Sequence, residues 1–429
     1  MDRPWWVLEE DVPIDWHSKA FGPDQQGRTV GELVAAGTTV ADLPTPLLTL
    51  DASALEHNVA AMGEWTRRHG VDLAPHGKTT MCPALWRRQL DAGAWAITVA
   101  TPWQLRVAVA AGVKRIMHAG AIVDARELAA LRRLLDGDPE LQVIVWADSP
   151  ETVDLLVSGY PRGGRPLRVL AERGGPGART GARSSAEAVE TARAISGAAA
   201  LRLAGVAAWE GSLQAATGPH GRDAVASFCD GVADAFVRIE AEGLFTDPET
   251  PVITAGGSAF FDIVTERWEF LAAGPARRAR VVLRSGCYLT HDDGGYAKSS
   301  PFARAGSTPL TPALHAWAQV VSRPEPTLAL LNAGRRDVPY DGLLPVPQRI
   351  RGRSGDDSAR ALRAATVSML NDQHAYLSLA PESDVRIGDV IRLGISHPCT
   401  AFDKWTVIPV IDRASASVPK VIGAVRTVF

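Results

Sequence analysis

The sequence predicts an α/β chain: a closed (β/α)8 TIM-like barrel followed by a mainly antiparallel β domain. Three observations carry this. From about residue 44 to 290, short apolar runs alternate with helical patterns, and eight such runs follow the first helix. Those eight βα units occupy about 220 residues, near the usual size of such a barrel. Beyond about residue 290, strand-like runs succeed one another with little helix between them.

The elements can be taken in order. Ser53-x-x-Glu56 reads as the capping box of the first helix, in which Leu55, Val59 and Met62 recur at helical spacing. Pro83, Pro102 and Pro150 fall at helix starts, where a missing N–H costs little, and Gly93 and Gly112 fall where helices should stop. The barrel strands are VDLAPHG, AITVA, RIMHAG, LQVIVWAD, LRVLAER, LRLAGVAAW, PVITAG and RVVLRSG. PLLTL, ahead of the first helix, would be a ninth strand and is assigned to the second domain. The runs HAWAQVV, TLALLN, AATVSML, AYLSLA, DVIRLGI, WTVIPVI and VIGAVRTVF build the β domain. The Pro/Gly-rich stretch GRRDVPYDGLLPVPQRIRGRSGDD inside it reads as a long functional or mobile loop. The expected division is 1–45, an N-terminal extension packing with the β domain; 46–290, the barrel; and 291–429, the β domain with the metal site.

Composition narrows the function. The chain has 429 residues, 46% hydrophobic and 22% charged, which is ordinary globular usage. A net charge of −3 without a basic block speaks against a nucleic-acid or anionic-membrane partner. No apolar run approaches the roughly 20 residues that span a bilayer. The opening MDRPWWVLEEDVPIDW lacks the apolar core of a signal peptide. Four scattered cysteines (82, 229, 287 and 399) form no disulfide framework, and a reducing, cytoplasmic setting is expected.

In barrels of this kind, chemistry sits at the C-terminal strand ends. There the sequence places Lys78 after the first strand, Arg179 after the fifth and Trp209-Glu210 after the sixth. Gly256-Gly257-Ser258 follows the seventh, and Ser285-Gly286-Cys287-Tyr288 follows the eighth. Glycine turns let backbone N–H groups close on an anion, and phosphate is commonly held after strands seven and eight. A lysine facing a phosphate pocket points to pyridoxal 5′-phosphate. GGPGARTG departs from the dinucleotide fingerprint. In the β domain, His397-Pro398-Cys399 offers an imidazole and a thiolate at i and i+2, on one face if the segment is extended. Such ligands suit Zn²⁺ better than Mg²⁺ or Mn²⁺. His291, Asp292, Asp293 and His374 read as loop or substrate-contact residues, and Cys229 as helical core.

These residues resemble a known family, the fold-type III pyridoxal-phosphate enzymes of the D-serine dehydratase and D-threonine aldolase branch. Pro75-His76-Gly77-Lys78-Thr79 is similar to its Pro-His-x-Lys-Thr motif, which implies that Lys78 carries the cofactor and that His76 lies beside it. Thr45-Pro46-Leu47-Leu48 with Asn58 resembles the entry motif, and Gly93-Ala94 with Thr98-Val99-Ala100-Thr101 resembles a further segment. Arg179-Thr180-Gly181 is similar to the segment whose arginine faces the pyridine nitrogen, and Trp209 holds the place of an aromatic near the cofactor. Gly256, Gly257 and Ser258, and Gly286, Cys287 and Tyr288, match the phosphate turns. His397-x-Cys399 matches the zinc pair of the dehydratases, where the aldolases carry His-x-Asp. Departures stand at Thr80, Trp209, Ser212 and Gln373-His374, and the GRRDVPYDGLLP loop resembles a bacterial amino-acid deaminase subgroup.

The resemblance implies an alanine racemase-like architecture, pyridoxal 5′-phosphate, Zn²⁺ or another divalent metal, and a homodimer acting on a small D-amino acid. The expected reaction is β-elimination from a D-β-hydroxy amino acid, with D-serine giving pyruvate and ammonia. The alternatives are a D-threonine-type retro-aldol cleavage, a racemase, and a non-enzymatic cofactor carrier. The added β domain and metal pair weigh against the last.

Overall fold

The computed structural model describes residues 13–213, 218–272, 278–305, 309–351 and 359–429. They form two compact units. One comprises Met62–Lys78 and Gln89–Gly286; the other contains the described residues up to Ala61, with Thr79–Arg88 and Cys287–Phe429.

The first unit holds an eight-stranded parallel sheet. In spatial order its strands are Asp72–Leu73, Arg280–Leu283, Val252–Ala255, Leu201–Ala208, Leu167–Arg173, Gln142–Ala147, Arg115–His118 and Ile97–Val99. The two ends meet: His76 bridges Thr98 in parallel, and Thr98 N donates to Pro75 O at 2.9 Å. The eight predicted strands thus close as a barrel. Its interior is filled by Ala74, Met117, Ile144, Trp146, Leu170, Ala204 and Val282, all at most 1% exposed. Helices follow the strands and are capped as their sequences dictate, with Thr101, Asp124, Ser149 and Ser184 each accepting an N–H of the first turn. Gly93 and Gly112 adopt φ of +97° and +81°, the conformation that glycine reaches most readily.

The second unit is built on a ten-stranded sheet. Leu314–Glu325 is its long central strand, antiparallel to Val390–Gly394 on one side and to Leu47–Asp51 on the other. Leu47–Asp51 is in turn parallel to Val407–Ile411, so PLLTL lies in this sheet and not in the barrel. Val421–Arg426 closes that edge, and Leu328–Leu331, Ala375–Ser378 and Thr366–Leu370 extend the other half of the central strand. The N-terminal stretch joins here, with Val40 N donating to Pro419 O and Val421 N to Thr38 O.

Two local expectations are corrected. The first helix, Ala52–Arg68, is capped by Asp51, whose Oδ1 accepts Ala54 N at 3.0 Å. Ser53 lies inside the helix, and Glu56 instead pairs with Arg88. Part of the long Pro/Gly-rich stretch is a strand: Val346–Arg351 pairs with Val390–Gly394, with a register shift between Pro347 and Arg349. A proline that cannot donate is accommodated at that irregularity, and it is what masks the strand in the sequence. Residues 352–357 of that stretch lie outside the described residues. No described helix is long and apolar enough to cross a membrane.

Candidate active site

Within the barrel unit, the C-terminal strand ends gather an unusual set of charges. Lys78 sits half-buried in the 3-10 turn Gly77–Thr79 that follows the first strand. His76, two residues earlier, buries Nδ1 without a hydrogen-bond partner. Burial, reinforced by the cations Lys78, Arg284 and Arg179, holds its imidazole well below the usual histidine range, so it is neutral at pH 7. Arg284 follows the eighth strand and is 3% exposed. Its guanidinium donates to Thr254 Oγ1 at 2.7 Å and to Ala208 O at 2.6 Å, and lies 4.6 Å from the Trp146 ring centroid. Burial pulls it down to about 10, opposed by Glu210 and Glu172. Arg179 stacks on Trp209 at 4.4 Å, so its exposed charge is braced by an aromatic face.

Glu210 is the buried counter-charge. Its Oε2 accepts Gly256 N at 3.0 Å, and its Oε1 accepts Gly257 N at 2.5 Å. The two amides predicted to face a phosphate therefore donate to a carboxylate here. Ser285 Oγ donates to the Gly256 carbonyl at 3.0 Å and closes the turn from the other side, while Ser258 is half-buried next to it. Gly286 leaves no room for a side chain: a Cβ there would stand 2.9 Å from His76 O. Glu172, held up by burial, accepts from Thr180 Oγ1 at 2.8 Å.

These residues fit pyridoxal 5′-phosphate. An amino group, two guanidinium groups and an unpartnered imidazole nitrogen converge with glycine turns that keep side chains out. An anionic, planar, aldehyde-bearing group matches that donor set.

The other unit holds a second cluster. Cys287, His397 and Cys399 bring one ligand atom each within 4.8 Å of one another. The two sulfurs are 3.4 Å apart. His397 and Cys399 do converge, but not along an extended strand: Pro398–Thr400 is a 3-10 turn with His397 at its start. Pro398 sets that turn with its fixed φ. Thr79 Oγ1 lies 3.5 Å from Cys399 Sγ. The Cys287 thiol and the His397 imidazolium hold Cys399 well below the usual thiol range, as a thiolate. In return the thiolate, with Asp341, lifts His397 to about 9. His397 Nδ1 is 2.8 Å from Asp341 Oδ2, and Asp341 Oδ1 accepts Thr400 Oγ1 at 2.8 Å. That carboxylate fixes the ring and leaves Nε2 as the ligand atom. A thiolate-imidazole set of this kind fits Zn²⁺.

Cys287 and Tyr288, expected at the cofactor turn, belong to this unit; Cys287 turns its thiol to Cys399, and Tyr288 is 3% exposed. Asp292 serves loop structure, its Oδ1 accepting the N–H groups of Gly294, Tyr296 and Ala297. Cys229 is buried helical core. Sequence reasoning assigned no role to Glu210, Arg284 or Asp341. Glu210 was placed in the strand-end set without a task, and Arg284 adjoins Ser285 at a strand end, a position that flags it; Asp341 lies in the GRRDVPYDGLLP loop, which the sequence marks as a functional or mobile loop without singling out that residue.

Residues 313–411 match the family model of a putative serine dehydratase domain. Over 371 residues the chain is 27% identical to D-threonine aldolase from Arthrobacter sp., covering 86% of this chain and 89% of that protein. The chain is a homologue of that aldolase. Over 392 residues it is 25% identical to 3-hydroxy-D-aspartate aldolase from Paracoccus denitrificans (strain Pd 1222), covering 90% and 94%. Among solved structures, D-threonine aldolase from Filomicrobium marinum superposes with a TM-score of 0.75 at 26% identity, covering 91% and 97%. In fold alone the chain also matches alanine racemase from Bacillus anthracis, with a TM-score of 0.58, 16% identity, and 89% and 97% covered.

Proposed function

We propose that the protein is a pyridoxal-phosphate- and zinc-dependent lyase that eliminates water from a D-β-hydroxy amino acid, the released enamine tautomerising to an imine that takes up water to give a 2-oxo acid and ammonia. The observation that carries this is the Cys399 thiolate paired with the His397 imidazole, because the aldolases of the family resemblance carry an aspartate at that position. The homologues named above support lyase chemistry on D-β-hydroxy amino acids in general; the choice of D-serine rests on the motif alone.

Pyridoxal phosphate, when bound, makes the Cα–H bond of an amino acid acidic, and a divalent metal supplies Lewis acidity toward a β-oxygen. The remaining work falls to this chain. Lys78 Nζ would hold the cofactor and then take up the α-proton. Arg284, Arg179 and Ser258 would hold the phosphate and ring, with Glu210 taking the Gly256 and Gly257 amides and so fixing that turn beside them. An arginine at a ring nitrogen cannot give up its proton, since its pKa exceeds roughly 12. Charge left at Cα is then poorly stored, which favours departure of the β-hydroxyl as the proton is lost. His397 and Cys399 would position the metal for that departure, with Asp341 orienting His397.

The second reading is retro-aldol cleavage, favoured by the names of the relatives. Incubation with D-serine, D-threonine and D-threo-3-hydroxyaspartate decides between them. Elimination gives 2-oxo acid with the L-enantiomers untouched. Glycine and an aldehyde as main products from D-threonine would promote the aldolase, and rapid interconversion of D- and L-alanine would overturn both. A homodimer in the cytoplasm belongs to the same proposal.

A further inference from the structure

We propose that Cys287 is a third protein ligand to the metal, so that the site is a Cys2His set of Cys287, His397 and Cys399. This deepens the metal reading above and depends on it. The sequence alone offers two donors, and two protein ligands hold an ion weakly; the fold brings a third, 110 positions upstream of His397, into the same small volume.

Three observations support the assignment. The first is the sulfur spacing. Two thiolates on one tetrahedral zinc, each about 2.3 Å from the ion, stand about 3.8 Å apart. The observed 3.4 Å is close to that and far beyond the roughly 2.05 Å of a disulfide. The second is enclosure. Cys287 is 5% exposed, so bringing its thiolate charge into this site would be costly without a cation to neutralise it. The third is the surrounding shell. Thr79 Oγ1 reaches Cys399 at 3.5 Å, and Asp341 holds the far side of His397. Cys399 and His397 therefore each have a partner that fixes their direction, which is the usual construction of a metal site.

The chemical consequences are specific. Two thiolates and a neutral imidazole cancel the charge of a divalent ion and select a soft one over Mg²⁺. Three protein donors leave one position of a tetrahedral ion open to a small ligand, as in catalytic rather than structural zinc sites.

The test compares metal-stripped wild-type protein with Cys287→Ser and Cys287→His, using Co²⁺ as spectroscopic probe and Zn²⁺ in competition with a chromophoric chelator. Ligation by Cys287 predicts that Cys287→Ser loses about half the thiolate-to-cobalt charge-transfer intensity, with at least about a tenfold fall in Zn²⁺ affinity. Cys287→His should regain affinity while keeping the halved intensity, which separates ligation from misfolding of the serine variant. Unchanged intensity and affinity in Cys287→Ser would overturn the proposal and leave the His397–Cys399 pair standing. Wild-type protein that binds neither Co²⁺ nor Zn²⁺ would overturn both. A Cys287–Cys399 disulfide in protein purified under reductant would also overturn it.

Discussion

Individual side chains decide the chemistry, and three of them give direct tests. Lys78 should be the residue labelled when cofactor-loaded protein is treated with borohydride, and Lys78→Ala should lose turnover while binding cofactor weakly through its phosphate contacts. A label on another lysine, read by peptide mass, would remove Lys78 from its role. Asp341 touches no reacting group, yet it fixes the His397 ring from Nδ1. Asp341→Asn should therefore lower metal affinity by about 10- to 100-fold, with turnover recovered in excess Zn²⁺. Loss of turnover that added metal does not restore would assign Asp341 a different task. Asp293 is held up to about 6 by burial, against the pull of Arg392. A carboxyl raised in the folded state stabilises it below about pH 3.8, and that contribution is lost as pH rises through 6. Asp293→Asn keeps the shape without the charge, so its stability relative to wild type should rise between pH 4 and 7, by up to about 3 kcal/mol. Denaturant unfolding at the two pH values measures it, and a pH-independent difference would show that the carboxyl is not buried as described.

At the level of elements, the barrel shows what a close backbone approach demands. Gly205 has φ of +146°, at the point where the pairing of Leu201–Ala208 with Leu167–Arg173 slips register. A Cβ there would lie 1.9 Å from Val252 O, in the next strand. Gly205→Ala should cost at least about 3 kcal/mol, because strain and a backbone clash act together. A thermal midpoint within a degree or two of wild type would contradict that. The same contrast explains how much could be read from sequence. All eight barrel strands were legible, because strands buried on both faces are continuous apolar runs bounded by helix caps and glycines. Val346–Arg351 was not, because its register shift beside Pro347 breaks the two-residue alternation. Of the site, Lys78, Arg179, His397 and Cys399 were legible as residue types at strand ends or at close spacing. The pairing of Cys287 with Cys399 was not, since nothing in a linear sequence reports a contact between residues 112 positions apart. Asp341 was hidden for the same reason, 56 residues from the histidine it orients.

For the whole molecule the open test is assembly. The loop that presents Asp341 to His397 also exposes large apolar side chains: Tyr340 is 49% exposed and Leu343 is 51% exposed. In the same unit Trp16 is 80% exposed. Leaving three such groups in water forgoes burial that is worth about 1.5–3 kcal/mol for each full side chain. A second copy of the chain is the cover we expect, since symmetric dimers are the commonest soluble assemblies. Light scattering should then give twice the chain mass, and Leu343→Asp should shift the population toward monomer. Because Asp341 lies between Tyr340 and Leu343 in this loop, we expect assembly and metal retention to be linked. Freeing Tyr340 and Leu343 would loosen Asp341, so the Leu343→Asp monomer should lose Zn²⁺ faster to a chelator than the dimer does. A wild-type protein that is monomeric at high concentration would remove the dimer. A Leu343→Asp monomer that keeps its metal as firmly as wild type would instead show that the loop holds Asp341 in place without a partner.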